Sequence, residues 1–173
     1  MWFGGGAALD QEINARFGHW VREAVAGGLA DWEPRPLDRL ALVILLDQFT
    51  RNVFRGRAQA FAGDARAQAL VTGALANAWD RQLPLAGRVF LYMPLEHAEA
   101  IELQGQSVRR FRALLADAAP ERIQELQGNL DYAEQHRDII AEFGRFPHRN
   151  AVLGRTSSAR EQEFLQNGPR FGQ

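Results

Sequence analysis

The chain has 173 residues, 46% of them hydrophobic, and its 20 basic residues against 21 acidic ones give a formal net charge of −1. Every basic residue is an arginine, and the absence of lysine and cysteine excludes a disulfide scaffold, a thiolate metal site, a cysteine nucleophile and a catalytic lysine. The near-neutral balance gives no electrostatic reason to expect a nucleic-acid partner. Any chemistry must therefore come from carboxylates, imidazoles, guanidiniums and hydroxyls.

The length is typical of one domain, and we expect residues 1–173 to form a single helical domain. The longest apolar run, Leu40–Leu46, is far shorter than the roughly 20 residues that span a bilayer. The first residues show neither the charged nor the apolar region of a signal peptide. These features predict a soluble, cytoplasmic protein without a membrane partner.

Apolar residues recur at helical spacing along most of the chain, and no segment shows a convincing strand pattern. The first half is predicted to hold three helices, which run from a cap at Asp10 to the Gly27–Gly28 pair, from Leu37 to about Arg55, and from a cap at Asp64 to about Asp80. The second of these is apolar on nearly every side, so we expect it to be the central helix of the fold.

The second half is predicted to hold four helices, which run from Ala86 to about Gln104, from Ser107 to Leu115, from Glu121 to Phe143, and from a cap at Ser157 or Ser158 to Leu165. Pro94 is expected to kink or break the first of them, and Gly105 to end it. An interruption near Gly128 in the long helix is left open. About seven helices joined by short loops favour an all-α fold of antiparallel hairpins without a sheet.

Charged residues interrupt the apolar face of the predicted central helix. Asp47 shares a face with Leu40 and Ile44, and Arg51 follows it one helical turn later. Burying a charge is costly unless it is paired, so Asp47, Arg51 and neighbouring Asn52 need partners. A structural ion pair between two helices and a functional site are both open interpretations.

Three further polar residues are predicted to point into packing. Glu96 and His97 follow Pro94, whose ring leaves a backbone carbonyl unpaired one turn upstream that a polar side chain can satisfy. His136 lies at the centre of an apolar stripe of the long helix. Each of the three is either a satisfied core residue or part of a site.

The segment 145–150 gathers hydrogen-bonding side chains around Pro147, outside regular structure. Arg145, His148, Arg149 and Asn150 could bind a carboxylate or phosphate by charge-assisted contacts. They could equally cap helix ends and bridge to the acidic residues of the predicted helices.

The spacing of the residues supports neither a metal site nor a serine hydrolase. Three histidines with Asp47, Glu96 or Glu99 could supply metal ligands, but no HExxH or comparable spacing occurs. There is also no GxSxG motif of a serine hydrolase. We therefore expect neither a metal nor another cofactor.

Six stretches of the chain resemble a known family in the expected order. They are Trp2–Gly4, Leu46–Gly56, Phe90–Glu99, His136–Ile140, Phe143–Asn150 and Leu153–Arg155. They resemble a mainly bacterial family catalogued as domain of unknown function 924, over nearly the whole chain. Thr50 stands where that family usually has proline, and Ala98 where serine is common. The resemblance implies an all-helical, tetratricopeptide-like right-handed array and no established activity.

The polar residues that break the pattern are expected to converge on one pocket that binds a small anionic ligand or an acidic peptide terminus. These predicted ligand-binding residues are Asp47, Arg51, Asn52, Glu96, His97, His136, Arg145, His148, Arg149 and Asn150. One alternative is a hydrolase with Glu96 or Asp47 as general base and a histidine as general acid. The other is a protein-binding scaffold with a purely structural cluster. A homodimer is left open.

Overall fold

The structure is a computed structural model that describes residues 6–169, so the Trp2–Gly4 stretch lies outside the described residues. Over the described range the chain forms seven α-helices and no strand, which confirms the all-α prediction. They are α1 (Ala7–Val25), α2 (residues 36–53), α3 (Asp64–Ala76), α4 (Leu85–Glu96), α5 (Ile101–Ala116), α6 (Ile123–Phe143) and α7 (Ala159–Asn167). No helix of residues 6–169 is both long and apolar enough to cross a bilayer.

Helix α2 is the central helix, as its composition predicts. It begins at Pro36, whose fixed φ suits a first helical position, and Leu42, Val43 and Leu46 are fully buried. A π-helical turn at Leu45–Phe49 separates its two α-helical parts. Such turns are frequent at functional sites because they shift the direction of the side chains that follow.

Two acidic residues that the sequence marks as helix caps have other partners. Helix α1 begins before Asp10, whose carboxylate accepts hydrogen bonds from Asn52 of α2 and from Arg55, which lies two residues beyond the end of α2. Asp64 is the first residue of α3, where Gly63 occupies the capping position. The Asp64 carboxylate faces α2 instead. Both cap predictions are wrong because an arginine offers each carboxylate a stronger partner than a backbone N–H: Arg55 binds Asp10 and Arg51 binds Asp64.

The boundary between α4 and α5 differs from the prediction. Helix α4 continues through Pro94 to Glu96, and α5 continues through Gly105 to Ala116, so Ser107 lies buried inside a helix rather than at its start. The side chain of Gln104 donates hydrogen bonds to the carbonyls of Glu96 and Ala98, at 2.5 and 2.8 Å. These bonds satisfy carbonyls that the break leaves without helical partners.

The remaining helices agree more closely with the sequence. Helix α6 runs without interruption past Gly128 and ends at Phe143, and the following Gly144 adopts the left-handed conformation at φ 69°. Ser158 caps α7 in a capping box with Glu161. Helix α3 ends at Ala76, before the predicted Asp80. Helix α4 packs against α2, α3 and α5, and α5 packs against α6.

Gly63 lies so close to the π turn of α2 that a Cβ there would overlap the carbonyl oxygen of Leu46. We expect Gly63→Ala to lower the free energy of unfolding by about 2 kcal/mol or more, since backbone must move to admit the methyl group. Gly128→Ala in α6 is the matched control. A Cβ there meets nothing within 4 Å, so the substitution should stabilise the helix by about 0.5 kcal/mol or more. Urea unfolding measures both, and a Gly63→Ala protein as stable as the wild type would contradict the prediction.

Candidate functional site

Polar side chains from five parts of the chain meet beside the π turn of α2. Two of these side chains come from α2, one from the start of α3, two from the end of α4, one from α6 and two from the 3₁₀ turn Pro147–Arg149. The polar cluster consists of Asp47, Arg51, Asp64, Glu96, His97, His136, His148 and Arg149.

A carboxylate and an imidazole form the inner pair of the polar cluster. Asp47 is 1% exposed, and its Oδ1 lies 2.7 Å from Nδ1 of His97. Because an ionised carboxylate only accepts hydrogen bonds, Nδ1 of His97 carries the proton and Nε2 is left as an acceptor. Burial opposes ionisation of Asp47, but His97 and Arg51 outweigh it and hold the pKa of Asp47 below its usual value. Burial lowers the pKa of His97, so its ring is neutral at pH 7.

Two arginines share the carboxylate of Asp64. Arg51 binds both oxygens of Asp64, at 3.1 and 3.2 Å, and Nη1 of Arg149 lies 3.4 Å from Oδ2. Arg149 also donates to the carbonyl oxygen of His97 at 3.1 Å. The Asp47 and Arg51 side chains are 3.6 Å apart, so the pair expected from the sequence exists, but Asp64 is the closer partner of Arg51.

Aromatic rings lie against both guanidiniums, one beside Arg51 and two beside Arg149. Arg51 and Arg149 lie over the ring of Phe61, at 5.7 and 4.7 Å from its centroid, and Arg149 also lies 4.4 Å from the centroid of Phe146. Such stacking fixes the orientation of a planar cation and shields it from water. Burial and the nearby charge of Arg51 lower the pKa of Arg149 to about 10.

The other two imidazoles line the same region in neutral form. Nδ1 of His136 donates to the carbonyl oxygen of Tyr132 at 2.8 Å, and its ring centroid lies 5.9 Å from that of His97. Burial and neighbouring positive charge lower the pKa of His136 to about 3 and that of His148 to about 4. The ring of Phe146 contacts both of these imidazoles.

Three residues predicted for the same pocket lie outside the polar cluster. Asn52 donates to Asp10 at 2.8 Å and joins α2 to α1. Arg145 binds both oxygens of Glu161, at 2.7 and 2.8 Å, and Asn150 donates to the same carboxylate at 3.3 Å. These contacts hold α7 against the 145–150 segment.

Sequence reasoning missed Asp64 and Phe61 as members of this region. Asp64 stands at a helix start, where an acidic residue is ordinarily a cap, and no sequence pattern links it to Arg149, which follows it by 85 residues. Beside the cluster, Arg155 binds both oxygens of Glu99, at 2.6 and 2.9 Å. That carboxylate also accepts a hydrogen bond from the backbone N–H of Phe146 at 2.8 Å, which holds the Phe146 segment in place.

Several buried polar atoms of the polar cluster have no hydrogen-bond partner among the described residues. They are Nε of Arg51, Nε of Arg149 and Oε2 of Glu96. Buried polar atoms are nearly always satisfied, so such atoms indicate a place for a water molecule or a ligand group. Residues 6–169 contain no group of three metal-binding side chains. Two surface cavities, of about 470 and 360 Å³, lie elsewhere, beside Phe164 and Leu83.

The shared carboxylate generates a stability prediction for Arg51. Arg51→Ala would leave Asp47 and Asp64 buried with less compensation, so we expect a loss of about 3 kcal/mol or more in the free energy of unfolding. Arg16→Ala is the control, because Arg16 and Glu12 form a pair whose side chains are 63% and 60% exposed. Its cost should stay under about 0.5 kcal/mol. Equal losses in the two variants, measured by urea unfolding, would count against a buried network.

The neutral histidines predict a loss of stability in mild acid. Histidines of the unfolded chain take up protons near their ordinary pKa of about 6.5, whereas folded His136 and His148 resist protonation until about pH 3 and 4. Stability due to these groups is therefore complete above about pH 6.5 and falls as the pH decreases. His136→Gln should reduce the slope of unfolding free energy against pH, between about pH 6 and 5, by about 1 kcal/mol per pH unit. The free energy of unfolding at about pH 8 serves as the internal reference for the variant. If its slope equals that of the wild type, His136 is protonated in the folded protein, which contradicts the prediction.

Comparison with known proteins places the chain in a family. A family model described as bacterial protein of unknown function (DUF924) matches residues 1–169. A solved structure of a protein of unknown function from Agrobacterium tumefaciens is 36% identical, with a TM-score of 0.82, and the match covers 96% of this chain and 89% of that one. None of the curated proteins matches. The chain therefore belongs to the bacterial family of unknown function DUF924.

Proposed function

We propose that the polar cluster binds a small anionic molecule that carries a carboxylate or phosphate group, such as a metabolite or an acidic peptide terminus. Support comes from the two guanidiniums that share Asp64, because one carboxylate cannot occupy all the donors of two arginines. Planar, stacked guanidiniums suit carboxylate and phosphate oxygens, to which they offer paired N–H groups.

The ligand would approach from the partly exposed edge of the polar cluster. The side chains of Arg51 and His97 are 12% and 13% exposed, and His148 is also partly exposed, whereas Asp47 and Arg149 are buried. Buried Nε atoms of both arginines remain without a partner among residues 6–169. An anion that reaches this edge would therefore meet fixed donors in a region with little water, where charge-assisted hydrogen bonds are strong.

A second candidate function is acid–base catalysis, as in a hydrolase. The 2.7 Å bond between Asp47 and His97 favours it, because a carboxylate on Nδ1 orients the ring and leaves Nε2 free to accept a proton. In this arrangement His97 is the base and Asp47 its orienting partner, which differs from the assignment of Asp47 or Glu96 as base. Detecting such activity requires a substrate of the anionic class proposed above.

The scaffold alternative has no specific feature in its favour. The large exposed apolar residues of the described chain are distributed over α1, α2, α5 and α6, with Trp20, Leu37, Ile101 and Ile123 as examples. A docking surface needs a contiguous apolar patch of a few hundred Å². A tetratricopeptide-like arrangement, a cytoplasmic location and a homodimer stay predictions.

Thermal unfolding in the presence of simple anions tests the proposed function. Phosphate and acetate, each compared with chloride at equal ionic strength, should stabilise the wild type, by about 2.7 kcal/mol at a concentration 100 times Kd. Arg149→Lys keeps the charge but loses the paired donors, so most of this stabilisation should disappear. Arg137→Lys is the control, because Arg137 pairs with the largely exposed Asp138 and does not belong to the polar cluster. Equal stabilisation of both variants and the wild type would contradict the proposal.

A further inference from the structure

Glu96 differs from the other members of the polar cluster. It is 5% exposed, and no side-chain hydrogen bond or ion pair to it is found among residues 6–169. Both arginines of the polar cluster bind Asp64, and the neutral ring of His97 donates from Nδ1 to Asp47. Within the described part of the chain, Glu96 is therefore a buried carboxyl without a counter-ion.

The surroundings of Glu96 disfavour a negative charge for three separate reasons. A buried carboxylate without hydrogen bonds loses its hydration without compensation. Glu96 is also the last residue of α4, where the helix dipole places partial negative charge. The ionised Asp47 adds a full negative charge nearby. Burial and Asp47 raise the pKa of Glu96 well above its ordinary value, in agreement with these reasons.

We propose that Glu96 keeps its proton at pH 7 and offers its O–H as a hydrogen-bond donor to an acceptor oxygen of the bound anion. The donor role rests on the proposed function, whereas the retained proton does not. The end of α4 thus presents a neutral acid and, on the following residue, the neutral imidazole of His97. A proton donor at Glu96 is the opposite of the general base that the sequence suggests for this residue.

The proton on Glu96 affects the net charge of the polar cluster, and through it the binding of an anion. With Glu96 and the histidines neutral, two arginines balance the two aspartates of the cluster. If Glu96 were ionised, the polar cluster would hold three carboxylates and only two arginines, and the excess negative charge would repel an anion. The proton on Glu96 is therefore a condition for the binding of a carboxylate or phosphate compound at neutral pH.

Infrared spectroscopy of the purified protein tests the retained proton. A protonated carboxyl has a C=O stretching band above the amide I region, whereas exposed glutamates with ordinary pKa values near about 4.3 are ionised at pH 7 and lack it. The wild type should show this band at pH 7, and Glu96→Gln should remove it. Glu102→Gln, an exposed position on α5, is the matched control and should keep the band. Absence of the band in the wild type overturns the proposal.

If Glu96→Gln leaves the band unchanged, the proposed proton on Glu96 is also overturned. Asp64→Asn then tests whether the band belongs to Asp64, since burial raises the pKa of that carboxyl as well. Inorganic phosphate separates the two proposals. If Glu96 donates to the anion, phosphate should shift the wild-type band to lower wavenumber. Phosphate that stabilises the protein against heat without shifting the band overturns the donor role. Phosphate without any effect on Tm contradicts the proposed function, while the band still supports the retained proton.

Discussion

The carboxylate of Asp64 is the contact on which the centre of the molecule depends. It binds Arg51, which precedes it by 13 residues, and Arg149, which follows it by 85 residues. Burying three charged groups is favourable only if they remain together with good geometry, so this contact fixes α2, α3 and the turn at 147–149 relative to one another. The neighbouring Gly63 lets the start of α3 approach the backbone of Leu46 closely enough for the carboxylate to reach both guanidiniums.

Two irregularities in the helices bring the imidazole and carboxylate together. The π turn of α2 contains Asp47, and α4 ends one residue before His97. Gln104 reaches back from α5 to the carbonyls at this break and makes the end of α4 compatible with burial. Functional sites in helical proteins commonly use such departures from regular geometry. Here they orient His97 toward Asp47 at one end of the cluster and place Glu96 in the interior.

Much of the fold and part of the site could be predicted from the sequence, for different reasons. Helical periodicity identifies the seven helices, because burial of an apolar stripe is a local property. Polar residues on that stripe identify Asp47, Arg51, His97 and His136, because a buried charge requires partners. Periodicity carries no information about which partner is chosen. Asn52, Arg145 and Asn150 therefore pair outside the cluster, and Asp64 has the sequence pattern of a cap although it is the shared partner of two arginines.

The proposed function requires that the arginines of the polar cluster keep N–H groups available to bind an anion. The side-chain Nε–H resonances of Arg51 and Arg149 report on it directly, because both nitrogens are buried and lack a partner in the described part of the chain. Titration with phosphate, followed by nuclear magnetic resonance with assignments from Arg51→Lys and Arg149→Lys, should move both signals together along one saturable curve. Movement confined to exposed arginines such as Arg16, with the two buried signals unchanged, would contradict the proposed function.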